Sequence, residues 1–315
     1  MAVTESKCMP CYNPLLAYRN DKNEVVINKL PHALDHVTEH VFNLPCGKCI
    51  GCRLNYAREW ALRCVHEAKM HKNNSFITLT FNDEHLPKDG SLNVATFQRF
   101  MKRLRAGTKK QLRFFHSGEY GEKYGRPHYH ALIFGYDFPD KKIHYKNKKN
   151  PSLNLYTSEE LLKYWPYGHN MIGNLTYESA SYTARYILKK IKQDIDGTRG
   201  DKLPEYCTMS RMPGIGEQWY KKYGWTDCHA NDRIAINRDG KTFYSRPPRF
   251  YDELLNNEKK PEFYNPELYA KIKKQRKENQ EPPIIYRGKH GRLKTKEQVK
   301  TLQIERILRK LELDS

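Results

Sequence analysis

His128 and His130 are separated by one residue inside the apolar stretch PHYHALIF (127–134). In a strand, side chains i and i+2 share a face, so both imidazoles would reach one ion while Tyr129, Ala131 and Ile133 face a core. Two histidines make an incomplete site, because a catalytic metal generally takes three protein ligands and keeps a position open. Glu119, at the end of the preceding arm of the same hairpin, is the best third ligand, and Glu122 is its competitor. A mixed N,N,O set accepts Mg²⁺, Mn²⁺ or Zn²⁺. The bland reading of the same residues is a solvated histidine pair on a strand face.

A second group lies in SYTARYILKK (181–190), where Tyr182 and Tyr186 are four residues apart and Lys189 and Lys190 follow. On a helix the two phenols occupy one face, with Lys189 a turn further on. A tyrosine hydroxyl is a poor nucleophile at its ordinary pKa of about 10. A metal beside it would neutralise the oxygens of a phosphodiester, and a lysine would steady the developing charge. The product is a phosphotyrosine that conserves the bond energy for resealing. With 22 tyrosines in the chain the spacing alone is weak, and plain helix packing explains it equally well.

Cysteine supplies a third group. Cys46, Cys49 and Cys52 form C-x2-C-x2-C, and Cys8 and Cys11 form C-x2-C. Paired C-x2-C spacing signals zinc, although the stretch between Cys11 and Cys46 exceeds the usual ribbon loop. A reduced, metal-free cluster or an iron–sulfur site are the alternatives. Cys64 falls on an apolar helix stripe, and Cys207 and Cys228 show no partner pattern.

These groups need a frame. The chain has 315 residues, and 56 Lys plus Arg against 36 Asp plus Glu give a net charge of +20. That balance favours a polyanion as partner, nucleic acid first. No apolar run is long enough to span a bilayer, and the N-terminus carries no basic start followed by an apolar stretch, which points away from membrane and secretion. Residues 1–52 read as loop. A helical stripe runs through Leu54, Ala57, Trp60, Ala61, Cys64, Val65 and Ala68, and FITLTF (76–81) reads as a strand. A helix with Val94, Phe97, Phe100, Met101 and Leu104 follows, then the hairpin 112–120 and 127–135. Residues 136–157 read as a mobile Lys- and Asn-rich insertion. A short helix (158–164), a short strand (169–175) and a helix (179–191) come next. After residue 197 regularity fades until a charged helix at 294–313. The order predicts an α+β fold, an antiparallel sheet with helices on one face. The expected division is a Cys-rich segment plus basic helix over 1–72, a catalytic domain over 73–200 and a basic C-terminal region over 201–315.

Taken together, these residues resemble the HUH endonuclease superfamily, and specifically the replication initiators of microviruses, nearest the gokushovirus branch. FITLTF resembles the first family motif, GRPHYHALIFG (125–135) the His-hydrophobic-His motif, and SYTARYILKK the Tyr-x3-Tyr-x2-Lys motif. GEYGEKYGRP matches the branch's lead-in, whose glutamate corresponds to Glu119, and PPRFYDELL (247–255) is also similar. The resemblance implies a five-stranded antiparallel sheet with flanking helices. It also implies catalytic Tyr182, Tyr186, Lys189 and Lys190, and a Mg²⁺ or Mn²⁺ ion on His128, His130 and Glu119. The branch's single upstream cysteine in a C-x2-P context fits Cys11 through Pro14, so Cys11, Cys46, Cys49 and Cys52 are the candidate zinc ligands. Implied too are nicking and rejoining of a single-stranded viral origin in rolling-circle replication, with host helicase and polymerase as partners, in the bacterial cytoplasm. The competing readings are a non-enzymatic zinc-containing nucleic-acid binder and an HUH transposase or relaxase.

Overall fold

The computed structural model describes residues 11–20, 22, 24–27, 41–121, 124–148, 150–184, 202–238, 241–278 and 290–313. They divide into two compact units. One is Ala57–Tyr264, and the other joins the described residues up to Tyr56 with those from Asn265 onwards.

Residues 1–52, expected as loop, contain strands β1 (Leu15–Arg19), β2 (Val25–Ile27) and β3 (Val41–Leu44), which pair antiparallel in the order β2-β1-β3. Segments of three to five residues are too short to display alternation. Helix α1 (Ile50–Ala68) follows, with Ala57, Ala61 and Cys64 buried along the expected stripe.

The larger unit is built on β4 (Asn74–Phe81), α2 (Val94–Thr108), β5 (Arg113–Tyr120), β6 (Pro127–Phe134), β7 (Lys142–Tyr145), β8 (Leu155–Thr157), α3 (Glu159–Tyr164), β9 (Gly168–Gly173), helix α4, described over 177–184, and β10 (Tyr206–Met209). Capping fixes two of its helices: the Asn93 side chain accepts the Ala95 N–H at the start of α2, and Ser158 accepts the Leu161 N–H at the start of α3. Among the described residues the main sheet has seven strands, not five, in the antiparallel order β10-β5-β6-β4-β9-β8-β7. The additional strands are edge pieces of three or four residues. Two of them come from the insertion expected to be mobile, whose lysines and asparagines hide a hairpin.

Helices cover both faces of this sheet, not one. Tyr129, Ala131 and Ile133 of β6 pack with Ile77 and Leu79 against Phe97, Phe100 and Leu104 of α2. Leu132 and Phe134 point the other way and pack with Phe115 against Ala57, Ala61 and Cys64 of α1 and Ala180 and Ala184 of α4. The second half of β6 is apolar on both sides, so each side demands a cover. Its first half is different: on the α1 side it carries the two histidines.

Glu67 of α1 is fully buried and ties this layer down. It accepts from Arg113 Nε at 2.5 Å, from the Gly216 N–H at 2.8 Å and pairs with His71 Nε2 at 3.2 Å. Burial pushes its carboxyl up, but His71, the Gly216 N–H and Arg113 together hold it below the usual range.

The chain then forms α5 (Glu217–Gly224), the hairpin β11 (Ile234–Arg238) and β12 (Lys241–Ser245), and α6 (Arg249–Leu255), around Leu62, Trp219, Tyr220 and Tyr251. His66 stacks on Trp219 at 3.5 Å and meets the Tyr251 hydroxyl at 2.8 Å; burial first, then Lys69, lower its pKa to about 3. Where fading regularity was expected, an aromatic core stands. Helices α7 (Pro266–Glu278) and α8 (His290–Leu313) belong to the other unit. No helix among the described residues is long and apolar enough to cross a membrane.

Candidate active site

Register brings the site together. In the β5–β6 ladder Glu119 lies opposite His128 and Ser117 opposite His130; in the β4–β6 ladder Thr78 lies opposite His130 and Thr80 opposite His128. All of these side chains share the sheet face that α1 covers further along β6. Glu119 and His130 are buried and His128 is partly open. One donor atom from each of Glu119, His128 and His130 lies within 4.8 Å of the others.

Hydrogen bonding sets the imidazoles. His128 Nδ1 is 3.1 Å from the Arg126 carbonyl, which can only accept, so the proton sits on Nδ1 and the Nε2 lone pair faces Glu119 Oε1 at 3.0 Å. Arg126 is itself anchored, donating to the Phe81 carbonyl at 2.9 Å and pairing with Asp83. His130 Nδ1 meets the Thr78 hydroxyl at 2.9 Å and its Nε2 contacts the same Glu119 oxygen. Outer hydrogen bonds of this kind orient metal-ligating histidines. Lone pairs aimed at a carboxylate oxygen need a positive species among them, either protons on the rings or a cation. The N,N,O donor set therefore fits a divalent ion. Burial raises the Glu119 carboxyl, while positive charge on His130 and hydrogen bonds from His128 and His130 outweigh it and keep the group ionised.

Tyr182 on α4 stands beside this cluster. Its ring meets His130 edge-on, with centroids 5.2 Å apart, and Phe76 at 6.2 Å. Phe76 in turn stacks on His130 at 5.7 Å. Tyr186, Lys189 and Lys190 lie outside the described residues, as do Glu122 and Cys8. Neither Thr78 nor the Arg126 carbonyl is assigned a part by the sequence alone. The alternation of Thr78 and Thr80 in FITLTF is a signal for the first, since it places hydroxyls on the face opposite Ile77 and Leu79.

In the other unit the sulfurs of Cys11, Cys46, Cys49 and Cys52 also lie within 4.8 Å of one another. Backbone N–H groups point at three of them: Cys46 to Cys11 Sγ, Cys49 to Cys46 Sγ and Tyr12 to Cys49 Sγ, each at 3.3 Å. Burial pushes the Cys11 thiol up to about 11. Burial acts on Cys49 too, but the Cys52 and Tyr12 N–H groups draw it down to about 7.

Comparison with known proteins adds a separate line. The family described as replication-associated protein ORF2 matches residues 74–191, which include the histidines, Glu119 and Tyr182. Replication-associated protein VP4 of Bdellovibrio phage phiMH2K is 39% identical over 223 residues, 68% of each chain. Replication-associated protein ORF2 of Spiroplasma virus 4 is 32% identical over 277 residues, covering 81% of this chain and 83% of that one. Replication-associated protein ORF4 of Chlamydia phage 1 is 29% identical over 243 residues, covering 73% and 59%. No solved structure gives a significant match.

Proposed function

The chain belongs to the family of phage replication-associated proteins, and from that premise we propose that it is a rolling-circle initiator that nicks and rejoins single-stranded viral origin DNA through tyrosine. The observation that carries the reading is the meeting of Glu119, His128 and His130 with the Tyr182 ring on one sheet face.

Glu119, His128 and His130 would hold Mg²⁺ or Mn²⁺, which supplies Lewis-acid neutralisation of the scissile phosphate's oxygens. Thr78 and the Arg126 carbonyl hold the two imidazoles in orientation. In the first transfer the oxygen of Tyr182 or Tyr186 attacks phosphorus. The bond to the 3′ oxygen breaks, and the phenolic proton is balanced by the proton the 3′ hydroxyl gains. Lys189 or Lys190 steadies the phenolate or the phosphate charge. The 5′-phosphotyrosine keeps the energy of the broken ester, and the free 3′ hydroxyl primes host polymerase. In the second transfer the other tyrosine cuts the regenerated origin, and the new 3′ hydroxyl attacks the first phosphotyrosine, closing the circle and releasing the phenol. Residues 73–200 carry this chemistry, the net positive charge holds the DNA backbone, and the work is done with host helicase in the cytoplasm of the infected bacterium.

The test is a labelled single-stranded origin oligonucleotide incubated with the protein and Mn²⁺. A covalent adduct forms, disappears with EDTA, and is absent in Tyr182→Phe/Tyr186→Phe. An adduct in that double variant refutes the tyrosine assignment. Salt-dependent binding with no cleavage under any divalent metal makes the protein a binder only.

A further inference from the structure

The cysteine cluster has no part in the strand-transfer steps, and its geometry is specific enough to identify an occupant. We propose that Cys11, Cys46, Cys49 and Cys52 form a closed tetrathiolate site for one structural Zn²⁺, which organises the start of α1 and the segment carrying Cys11.

Three observations converge. The first is spacing: Cys49 Sγ and Cys11 Sγ are 3.8 Å apart, and all four sulfurs fall within 4.8 Å. Sulfurs about 2.3 Å from a common tetrahedral zinc stand about 3.8 Å from one another. A disulfide would need about 2.05 Å. A four-iron cluster would hold its cysteines further apart than this group allows.

The second is the donor pattern. Backbone N–H groups of Tyr12, Cys46 and Cys49 aim at Cys49, Cys11 and Cys46 sulfurs respectively at 3.3 Å, and the Cys52 N–H aims at Cys49 Sγ at 3.5 Å. Thiolates accept such bonds far better than thiols do, and the bonds disperse the charge of a tetrathiolate. They play the part that outer hydrogen bonds play at other metal sites.

The third is position. Cys49 precedes Ile50, the first residue of α1, and its sulfur takes the N–H of Cys52, the third. That is the geometry of a helix N-cap with sulfur in place of oxygen. The Ile50 N–H is taken by Glu297 Oε1 at 3.1 Å, so the donors at this helix start are shared between sulfur and a carboxylate of α8. A negatively charged tetrathiolate at a helix N-terminus also sits favourably in the helix dipole. Loading exchanges up to four thiol protons for one Zn²⁺ with no change of oxidation state, and four protein ligands leave no place for a substrate.

The test uses the full chain expressed without added metal. Elemental analysis gives one zinc per chain, released in step with mercurial titration of the thiols. Replacement by Co²⁺ gives thiolate-to-cobalt charge transfer and tetrahedral d–d bands in the unmutated protein, so the reading does not depend on variants that fail to fold. Cys46→Ser and Cys11→Ser lose the metal, whereas Cys8→Ser and Cys64→Ser keep it. Glu119→Ala keeps its zinc, which separates this site from the strand-transfer proposal. Four freely titrating thiols without metal, iron in place of zinc, or metal loss in Cys8→Ser equal to that in Cys11→Ser would each overturn the assignment.

Discussion

The sulfurs of Cys11, Cys46, Cys49 and Cys52 come from loop backbone and the first turn of a helix, whereas Glu119, His128 and His130 stand on neighbouring strands. The difference decides what each cluster needs. Strand register holds the carboxylate and imidazoles together through ladder bonds and a packed core behind them, so their arrangement survives without an ion. The cysteines sit beside strands of three to five residues, too little structure to hold four thiolates together against their own repulsion. One cluster is a place where an ion works; the other is a place that an ion builds.

The largest effect that follows is on the sulfur side. Cys46→Ser/Cys49→Ser should remove a metal contribution on the order of 10 kcal/mol from folding of its unit. The check is protease digestion of the full chain, which should cut between residues 11 and 56 in the variant first. If the variant resists digestion like the parent, the contrast drawn above fails.

On the strand side, Glu119→Ala should abolish the covalent adduct while leaving thermal unfolding within a few degrees of the parent. Calorimetry beside the adduct assay reads both. A control is Glu67, also buried against a histidine, but with Arg113 as a built-in cation at 2.5 Å. Glu67→Ala leaves that guanidinium buried without its partner, and should cost about 3–5 kcal/mol with no specific loss of metal binding. One carboxylate serves the fold, the other the chemistry.

A smaller change tunes the comparison. Thr78→Val keeps the shape but removes the hydroxyl on His130 Nδ1. Metal affinity, followed by Mn²⁺ titration, should fall about 10–100-fold with stability little altered.

The histidines away from the site give the gentlest test. Burial lowers the pKa of His66 to about 3 and that of His116, stacked on Phe97, well below its ordinary value. Both remain neutral when folded and take up a proton when unfolded, so the unfolded state binds more protons below about pH 6.5. Stability should therefore fall as pH drops from about 6.5 towards 3, by about 1.4 kcal/mol per pH unit for each ring. Denaturant melts of His66→Phe should show a shallower slope.

Much of this is legible in the residues. The period-two placement of His128 and His130 announces a shared face, and the α1 stripe names the side chains that become buried. What escapes is whatever does not repeat. β7, β8 and β10 are too short for a period, and the Lys–Asn composition of 136–157 looks like loop although it pairs as a hairpin. Helices on both faces could have been inferred from Leu132 and Phe134, which extend the apolar run onto the histidine side. Glu67 could not, because its partners Arg113 and Gly216 are remote in sequence and only the fold brings them together.

Because His128 faces Glu119 across a single hairpin, the number of residues in the connecting turn acts as a parity switch. Adding or removing one would turn both imidazoles towards Phe97 and Trp165 and expose Tyr129 to water. Sequence drift in that turn costs little; a change in its length would silence the protein in one step.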